Sequence, residues 1–173
     1  ESLAGQGVAE IVSIHMTSKG SGAYQAAAAA RAMVAETIPG LRIEVIDTLN
    51  VSMCHGWMVV EAARSAIAGV SLDHIVDQVR NMIPITRMLQ TADTLRYLYL
   101  GGRIGRARHL LGSLLNIKPL ISMQDGEIIA VGQAHSRGEA YRTIARLVEK
   151  AVGATGKIKA AYMHVAARDE AVK

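Results

Sequence analysis

The sequence predicts an α/β protein of two domains, a parallel α/β domain at 1–84 and an α+β domain at 85–173. Three observations carry this prediction. Near the N-terminus, two short β-branched apolar runs flank an alanine-rich stretch, as in a βαβ unit. Pro84 marks a change in the pattern along the chain. Farther on, Asp125-Gly126 stands between two apolar runs, which is the signal of a tight antiparallel hairpin.

The first domain opens with the βαβ unit. VAEIVSIHM (8–16) and LRIEVIDT (41–48) are predicted strands, and the alanine-rich 23–38 is a helix that Pro39-Gly40 ends. Because the connections are short, we expect the two strands to pair in parallel with a right-handed crossover.

Helices complete the first domain, and the second domain alternates strands and helices. WMVVEAARSAIAG (57–69) is a predicted helix closed by its glycine, and Ser71 is the expected N-cap of a helix that runs to about Met82. Beyond Pro84, the predicted elements are a strand 86–92, a helix 93–102, a helix 106–116, the hairpin around Asp125-Gly126, an amphipathic helix 138–152 and a final strand 157–166.

Composition narrows the classes of function. The 173 residues include one Trp, five Tyr and no Phe, so stacking platforms for single-stranded nucleic acid are poorly supplied. The net charge of +4 is too small to make nucleic acid an expected partner. The single cysteine, Cys54, excludes an internal disulfide framework and a Cys-based zinc site, which predicts a cytoplasmic location. No apolar run reaches the roughly 20 residues of a membrane span.

The loop MTSKGSGAYQ (16–25) joins the first strand to the alanine-rich helix. Backbone N–H groups at such a junction lie at the positive end of the helix dipole, where anions bind. Gly20 and Gly22 would let a ligand approach the main chain, and Ser21 would cap the helix or bind a ligand oxygen. The loop lacks the GK[ST] ending of a Walker motif and the third glycine of G-x-G-x-x-G. It therefore remains either a capped βα turn or a site for an oxygen-rich group.

Other candidates for chemistry lie at the same sheet edge. Asp47, at the end of the second strand, is either a catalytic acid or ribose ligand, or a cap of the loop that follows. Ser52 and His55 belong to a predicted polar loop, NVSMCHGW (50–57). Cys54 beside His55 is not interpreted as a nucleophile and base, because adjacent residues rarely point at each other.

A basic turn and a histidine stand out in the second domain. Arg103 and Arg106, with Arg108 and His109, follow a double glycine and would meet a phosphate or an acidic partner, or form a solvated helix face. His164, in the predicted final strand, is either a hydrogen-bonded core histidine or a side chain that faces a cleft.

Several segments together resemble the DegV family of bacterial lipid-binding proteins. TLRYLYLGGRIGRARHLLGSLLNIKPLISMQDGEI matches that family's leucine-rich helix, GGRI turn, LLG helix, KP strand and DG hairpin in unbroken order. SGAYQAA is similar to the family's SGTYQ loop, VIDTLNVSMCHGW to its second strand and small-residue loop, and MHVAARDEA to its C-terminal histidine motif. The resemblance covers nearly the whole chain.

The resemblance implies a DegV-like, two-domain carrier that buries a long-chain fatty acid between its domains. It implies that Ser21 and Gly22 hold the carboxylate with His164 from the second domain, and that the hydroxyls of Thr17 and Ser52 are further ligands. It also implies a separate fatty-acid kinase that makes an acyl phosphate, with Arg103 and Arg106 facing that partner or the phosphate. The carrier itself would be no enzyme and would use no cofactor besides its bound lipid.

The chain departs from the family's pattern in the loop and at its ends. Ala23 stands where the family usually has Thr, and Gly20 where it has Leu, which predicts a looser loop. ESLAGQG (1–7) resembles the tail of a helix, and we expect the family's T-S-Q-P segment and first strand to precede it, and further residues to follow Lys173.

Three hypotheses follow. The first is the fatty-acid carrier, which spans no membrane and whose membrane contact would be transient. The second is a phosphate-binding hydrolase or phosphotransferase that uses the Ser21 loop, although no convincing set of acid, base or metal ligands accompanies it. The third is a module that binds an acidic partner or nucleic acid through the basic stretches 103–109 and 137–146.

Overall fold

A computed structural model describes residues 1–112, 117–153 and 156–171 of the chain. Its helices and strands, in chain order, are α1 Ser2–Gly5, β1 Glu10–His15, α2 Ala23–Thr37, β2 Arg42–Asp47, α3 Ser52–Ile67, α4 Leu72–Met82, β3 Gln90–Thr91, α5 Arg96–Leu100, a 3₁₀ helix Gly105–Gly112, β4 Lys118–Gln124, β5 Glu127–Ala134, α6 Arg137–Val152 and α7 Arg168–Ala171. The predicted mixed class of helices and strands is confirmed.

The βαβ unit is confirmed, and the structure supplies its register. β1 and β2 pair in parallel, from Glu10 opposite Arg42 to His15 opposite Asp47, and α2 connects them. Helices α3 and α4 pack together and contact this sheet. The core between them consists of apolar side chains that are nearly inaccessible to solvent, namely Ile46, Met58, Ala62, Leu72, Ile75, Val76 and Val79.

The antiparallel hairpin is also confirmed. β4 pairs with β5, and β3 lies on the other side of β4, so the three-stranded sheet has the order β3-β4-β5. Asp125 and Gly126 both have left-handed backbone, with φ of 52° and 80°. Left-handed conformation at both central residues is the signature of the type I′ turn, which matches the twist of the strands that it joins.

A second apolar cluster contains residues from both halves of the chain. Its buried members are Met88, Leu95, Ile104, Ala107 and Ile121. Val51 and Cys54, at the start of α3, pack against them from the first half. This set, called the bridging cluster below, therefore connects the parallel sheet's carboxyl edge with the three-stranded sheet.

Helix α3 begins five residues earlier than expected, so the prediction of a polar loop at 50–57 is wrong for most of that stretch. The physical reason is burial at helical spacing. Val51 and Cys54 pack on the bridging cluster, and Met58 and Ala62 are 0% and 2% exposed in the first core. Residues three or four apart share one face of a helix, which outweighs the polar side chains between them.

Three elements of the second half are shorter or tighter than predicted. The strand 86–92 reduces to Gln90–Thr91, which pairs with Ile121 and Leu120, and the helix 93–102 to Arg96–Leu100. The helix 106–116 is a 3₁₀ helix over Gly105–Gly112, and the rest of the predicted helix, 113–116, lies outside the described residues. Left-handed Gly105, at φ 55°, lies against the backbone of Ile128, which prevents a regular α-helical start.

The predicted final strand at 157–166 is wrong. This segment has no regular structure, and its apolar side chains are exposed: Ile158 by 56%, Tyr162 by 80% and Val165 by 96%. A strand needs a neighbour to satisfy its amides and carbonyls, and no strand of the described chain pairs with this segment. Strand propensity alone therefore does not produce a strand here.

The parallel pair lies before Pro84 and the three-stranded sheet lies after it, whereas the division into domains at this point stays a prediction. Within the described ranges, no helix combines the length and the apolar character that crossing a membrane requires.

Candidate functional site

The two loops that follow β1 and β2 lie at the same edge of the parallel sheet, where α/β proteins commonly bind ligands. Asp47 connects them. Its carboxylate accepts hydrogen bonds from the amide of Ser18, 3.2 Å from each oxygen, and from the amide of Leu49 at 2.9 Å. Of the interpretations open for Asp47, the structure supports the cap, because backbone amides of both loops occupy its oxygens.

Ser21 lies in the loop 16–22, called the Ser21 loop below. Its side-chain oxygen accepts a hydrogen bond from the amide of Ala23 at 3.2 Å. Since Ser21 acts only as an acceptor there, its hydroxyl proton is available to a ligand oxygen. The residue is half-buried, and its own amide donates to the carbonyl of Thr17 at 3.1 Å. The structure is thus compatible with both a capped βα turn and a ligand site, because the Ser21 oxygen accepts the first amide of α2 while its hydroxyl proton is left for a ligand.

The N-terminus of α2 begins immediately after Ser21. Gly22 is its N-cap, and a Cβ built at Gly22 would have no atom within 4 Å other than those of its chain neighbours. First-turn amides have no acceptor inside a helix, and they lie at the positive end of its dipole. The approach to these donors is therefore open, and it favours an anionic group.

Thr17 is nearly inaccessible, with 2% of its surface exposed. Its hydroxyl donates to the carbonyl of Gly126 at 2.8 Å and accepts from the amide of Lys19 at 3.3 Å. A hydroxyl has one proton, and here it is directed at the hairpin. The geometry consequently does not present Thr17 as a donor to a head group.

Ser52 and His55 lie in the first turn of α3, and His15 is the last residue of β1. Ser52 is exposed, with a left-handed φ of 56°, and it is the first residue of α3. His55 lies 3.4 Å from the hydroxyl of Thr48, and His15 lies 2.7 Å from that of Ser13. Burial and the nearby His15 lower the pKa of His55, which favours its neutral form.

Arg103 reaches the Ser21 loop from the basic turn. Its Nε donates to the carbonyl of Gly20 at 3.2 Å, and its Nη1 to that of Gly101 at 2.7 Å. Its Nη2 has no hydrogen-bond partner within the described part of the chain. The guanidinium thus lies beside Ser21 and keeps donors for an anion.

Arg106 is engaged with the hairpin. It donates to the carbonyl of Gln124 at 3.3 Å and forms ion pairs with Asp125 at 3.8 Å and Glu127 at 3.5 Å. These exposed pairs compete with any phosphate for its charge, so Arg106 is less available than Arg103.

His164 is not brought to the Ser21 loop. It lies in the exposed segment before α7, beside an open depression of about 370 Å³ that residues 164 and 166–170 line. No hydrogen bond connects it to another residue of the described ranges.

Sequence reasoning missed the contacts that shape the edge. Thr48 and Asn50 are 0% and 5% exposed, and the side chain of Asn50 donates to the carbonyl of Thr48 at 3.0 Å. Asn50 also accepts the amide of Thr17 at 2.9 Å through its carbonyl. The signal in the sequence was the three polar residues Asp47, Thr48 and Asn50 at the end of a strand, because the polar groups of a buried turn need hydrogen-bond partners within the turn.

The assembled edge offers hydroxyl, amide and guanidinium donors next to the apolar bridging cluster. Such a site suits an anionic head group with an apolar tail. Among the residues that the structure describes, no group of three or more His, Cys, Asp and Glu side chains is arranged to hold a metal ion.

Comparisons with known proteins agree on one family. The model of a family described as "Uncharacterised protein, DegV family" matches residues 1–173. A DegV domain-containing protein of Caldanaerobacter subterraneus subsp. tengcongensis is 40% identical over 134 residues, which cover 78% of this chain and 46% of that protein.

Two solved structures are similar in fold over 87% of the chain. A fatty-acid-binding DegV family protein from Thermus thermophilus is 30% identical with a TM-score of 0.77, and 52% of that chain is covered. A stearic acid-binding protein from Eubacterium ventriosum is 28% identical with a TM-score of 0.79, and 51% is covered. The chain thus spans about half the length of the proteins that it matches.

Proposed function

The chain belongs to the DegV family, and from this premise we propose that the protein holds a long-chain fatty acid whose carboxylate lies at the Ser21 loop. The observation that carries the proposal is the similarity in fold to two proteins described as binding fatty acids. The chain spans about half the length of each of these two proteins. Fatty-acid binding is therefore proposed for the protein in the form that the cell contains, and not for these 173 residues alone.

The head group is proposed to bind through the donors of the Ser21 loop. The hydroxyl proton of Ser21 and the amide of Gly22 stand next to each other at the start of α2, whose first amide, that of Ala23, already donates to the Ser21 oxygen. These donors fix the position of a carboxylate without a deep charge trap. Ser52 and His164 stay proposed ligands on the family resemblance alone.

The acyl tail is proposed to lie along the bridging cluster, which begins at Val51 beside the Asp47 and Asn50 turn. Burial of each methylene contributes about 0.8 kcal/mol. The tail would therefore supply most of the affinity, and the head-group donors would set the orientation of the carboxylate.

A partner fatty-acid kinase is proposed to receive the exposed carboxylate and make the acyl phosphate. The Ser21 loop lacks the ending of a nucleotide-binding loop, so the phosphoryl donor is assigned to the partner. Arg103, with free donors beside Ser21, would neutralise the added phosphate. The protein would then be a carrier rather than an enzyme. The cytoplasm remains its proposed location.

Replacing Ser21 tests the proposal. We expect Ser21→Ala to weaken fatty-acid binding about 10- to 100-fold, since a hydrogen bond to a charged group contributes about 1.5–3 kcal/mol. The measurement is displacement of a fluorescent fatty acid from delipidated protein. Ser136→Ala is the matched control, because Ser136 also accepts a helix amide, that of Glu139 at 3.2 Å, at the start of α6. It should lower stability slightly and leave affinity unchanged.

Two outcomes would contradict the proposal. If the protein purified from cells carries no fatty acid and binds none, but hydrolyses phosphate esters, the phosphate-binding alternative is correct. If the two serine variants bind a fatty acid equally well, Ser21 does not belong to the site.

A further inference from the structure

The turn of the β-hairpin contacts the Ser21 loop directly. The hydroxyl of Thr17 donates to the carbonyl of Gly126 across 109 positions of sequence. Since Thr17 is 2% exposed, water does not compete for this bond. The contact joins the carboxyl edge of the parallel sheet to the tip of the antiparallel one.

Gly126 is required at this contact for two independent reasons. Its φ of +80° is a left-handed conformation that side chains with a Cβ rarely adopt. A Cβ there would also lie 2.6 Å from the Thr17 hydroxyl and 3.2 Å from Cδ2 of Leu49. The backbone of the turn therefore packs directly against both loops of the sheet edge.

Charged side chains surround the contact but do not hold it. Lys19 lies 3.9 Å from Glu127, and Arg106 lies 3.5 Å from the same carboxylate. These side chains are between 37% and 50% exposed, and pairs of this kind contribute little. The buried hydrogen bond of Thr17 is accordingly the specific part of the contact.

Thr17 is also hydrogen-bonded to the backbone of Ser21, so the position of Thr17 affects the position of Ser21. The carbonyl of Thr17 accepts the amides of Gly20 at 3.0 Å and Ser21 at 3.1 Å, which folds the loop back on itself. The amide of Thr17 donates to the carbonyl of Asn50 at 2.9 Å. Thr17 is thus held on both sides, and it sets where Ser21 stands.

We propose that the Asp125-Gly126 turn positions the Ser21 loop through the Thr17 hydroxyl, which makes Thr17 and Gly126 positioning residues of the head-group site. This inference rests on the proposed function only where it predicts a change in fatty-acid affinity, and its effect on hydrogen exchange is independent of that function. It replaces the expectation that Thr17 contacts the ligand, since its proton is already used.

The hydrogen bond from Thr17 to Gly126, called the brace below, can be tested without any lipid by hydrogen exchange in the ligand-free protein. We expect Thr17→Val and Gly126→Ala to speed exchange of the amides at 20–23 about fivefold to tenfold, the effect of losing one hydrogen bond. Thr17→Ser keeps the donor and should behave as wild type. Gly69→Ala is the matched control, because Gly69 has a similar φ of +76° but no atom within 4 Å of a Cβ. Amides of β4 and β5 report in every variant whether the fold is intact.

Binding measurements then separate positioning from ligand contact. Thr17→Val should weaken fatty-acid affinity about fivefold to tenfold, and Thr17→Ser should restore it to within about twofold. In the Ser21→Ala background, adding Thr17→Val should cost less than about twofold, because the loop no longer carries its donor. Full additivity of the two losses would overturn the positioning role.

The two proposals fail in distinguishable ways. If exchange at 20–23 rises as expected but the wild type binds no fatty acid, the brace stands and the proposed function falls. If the wild type binds but Thr17→Val changes neither exchange nor affinity, the brace is wrong. Should Gly126→Ala unfold, the isosteric Thr17→Val decides alone.

Discussion

Asp47→Asn tests whether one carboxylate holds the two loops of the sheet edge together. The substitution keeps the size and shape of the side chain but removes its charge and one acceptor oxygen. In the protein, both oxygens lie 3.2 Å from the amide of Ser18, and one also lies 2.9 Å from the amide of Leu49. An asparagine whose oxygen takes the position shared by the two amides still accepts from both, but without the negative charge, and its NH₂ group then lies against the amide of Ser18.

The expected loss follows from these contacts. Hydrogen bonds to a charged acceptor contribute about 1.5–3 kcal/mol, whereas those to a neutral amide oxygen contribute about 0.5–1.5 kcal/mol. Because Asp47 is half-buried, we expect the free energy of unfolding to fall by about 1–3 kcal/mol. For a chain of this size, that corresponds to a fall in Tm of about 3–10 °C.

Thermal and urea unfolding at pH 7 measure this loss, with Asp77→Asn as the matched control. Asp77 is exposed on α4 and makes no hydrogen bond or ion pair with another described residue, so its replacement changes only net charge. Hydrogen exchange should rise at the amides of Ser18 and Leu49 in Asp47→Asn alone.

Asp47 does not hold the two loops together if Asp47→Asn and Asp77→Asn unfold at the same temperature and exchange the amides of Ser18 and Leu49 at equal rates. If Asp47 were instead a catalytic acid, Asp47→Asn would leave the unfolding temperature and the exchange rates unchanged and would abolish an enzymatic activity.

Two further predictions concern pH and the tail site. Lys118 at 2.8 Å and Arg137 at 2.5 Å lower the pKa of Asp93 to about 2, so its contribution to stability is present above the ordinary carboxyl pKa and lost as pH falls towards 2. Asp93→Asn should therefore unfold at a slightly lower temperature than wild type at pH 7, because the ion pairs of Asp93 are exposed, and the difference should shrink below about pH 4 and vanish below about pH 2; a difference in melting temperature that does not change with pH would contradict this. Burial raises the pKa of Cys54, so little reactive thiolate is present at neutral pH and a thiol reagent should modify it slowly. The modification should be slower still with a long-chain fatty acid bound along the bridging cluster, because the acyl tail would cover the thiol. Mass spectrometry of the Cys54 peptide measures the rate, with acetate as the control ligand, and an unchanged rate would place the tail elsewhere.

Local chemistry explains which elements were predictable. The βαβ unit follows from two β-branched runs and an alanine-rich helix that Pro39-Gly40 ends, and the hairpin follows from a dipeptide that tolerates left-handed backbone. The family resemblance of the GGRI-to-DGEI block is likewise a matter of residues in order, and the comparisons confirm it.

The candidate site was predictable only in part. Ser21 was identified from its place before a helix, where the physical logic needs no distant residue. The role of Thr17 was not, because its partner Gly126 is far along the chain and any buried acceptor would satisfy a threonine. The start of α3 was missed because Val51 and Cys54 pack, partly buried, against apolar side chains of the second half.

The sequence by itself determined the family, the βαβ unit, the Asp-Gly hairpin and the serine before α2, since each follows from the types and order of residues along the chain. Only the tertiary structure decided that Thr17 braces the loop, that Asp47 joins two turns and that 157–166 forms no strand. A hydrogen bond or a strand ladder needs a partner at the right place in space, and sequence spacing does not say which distant group arrives there.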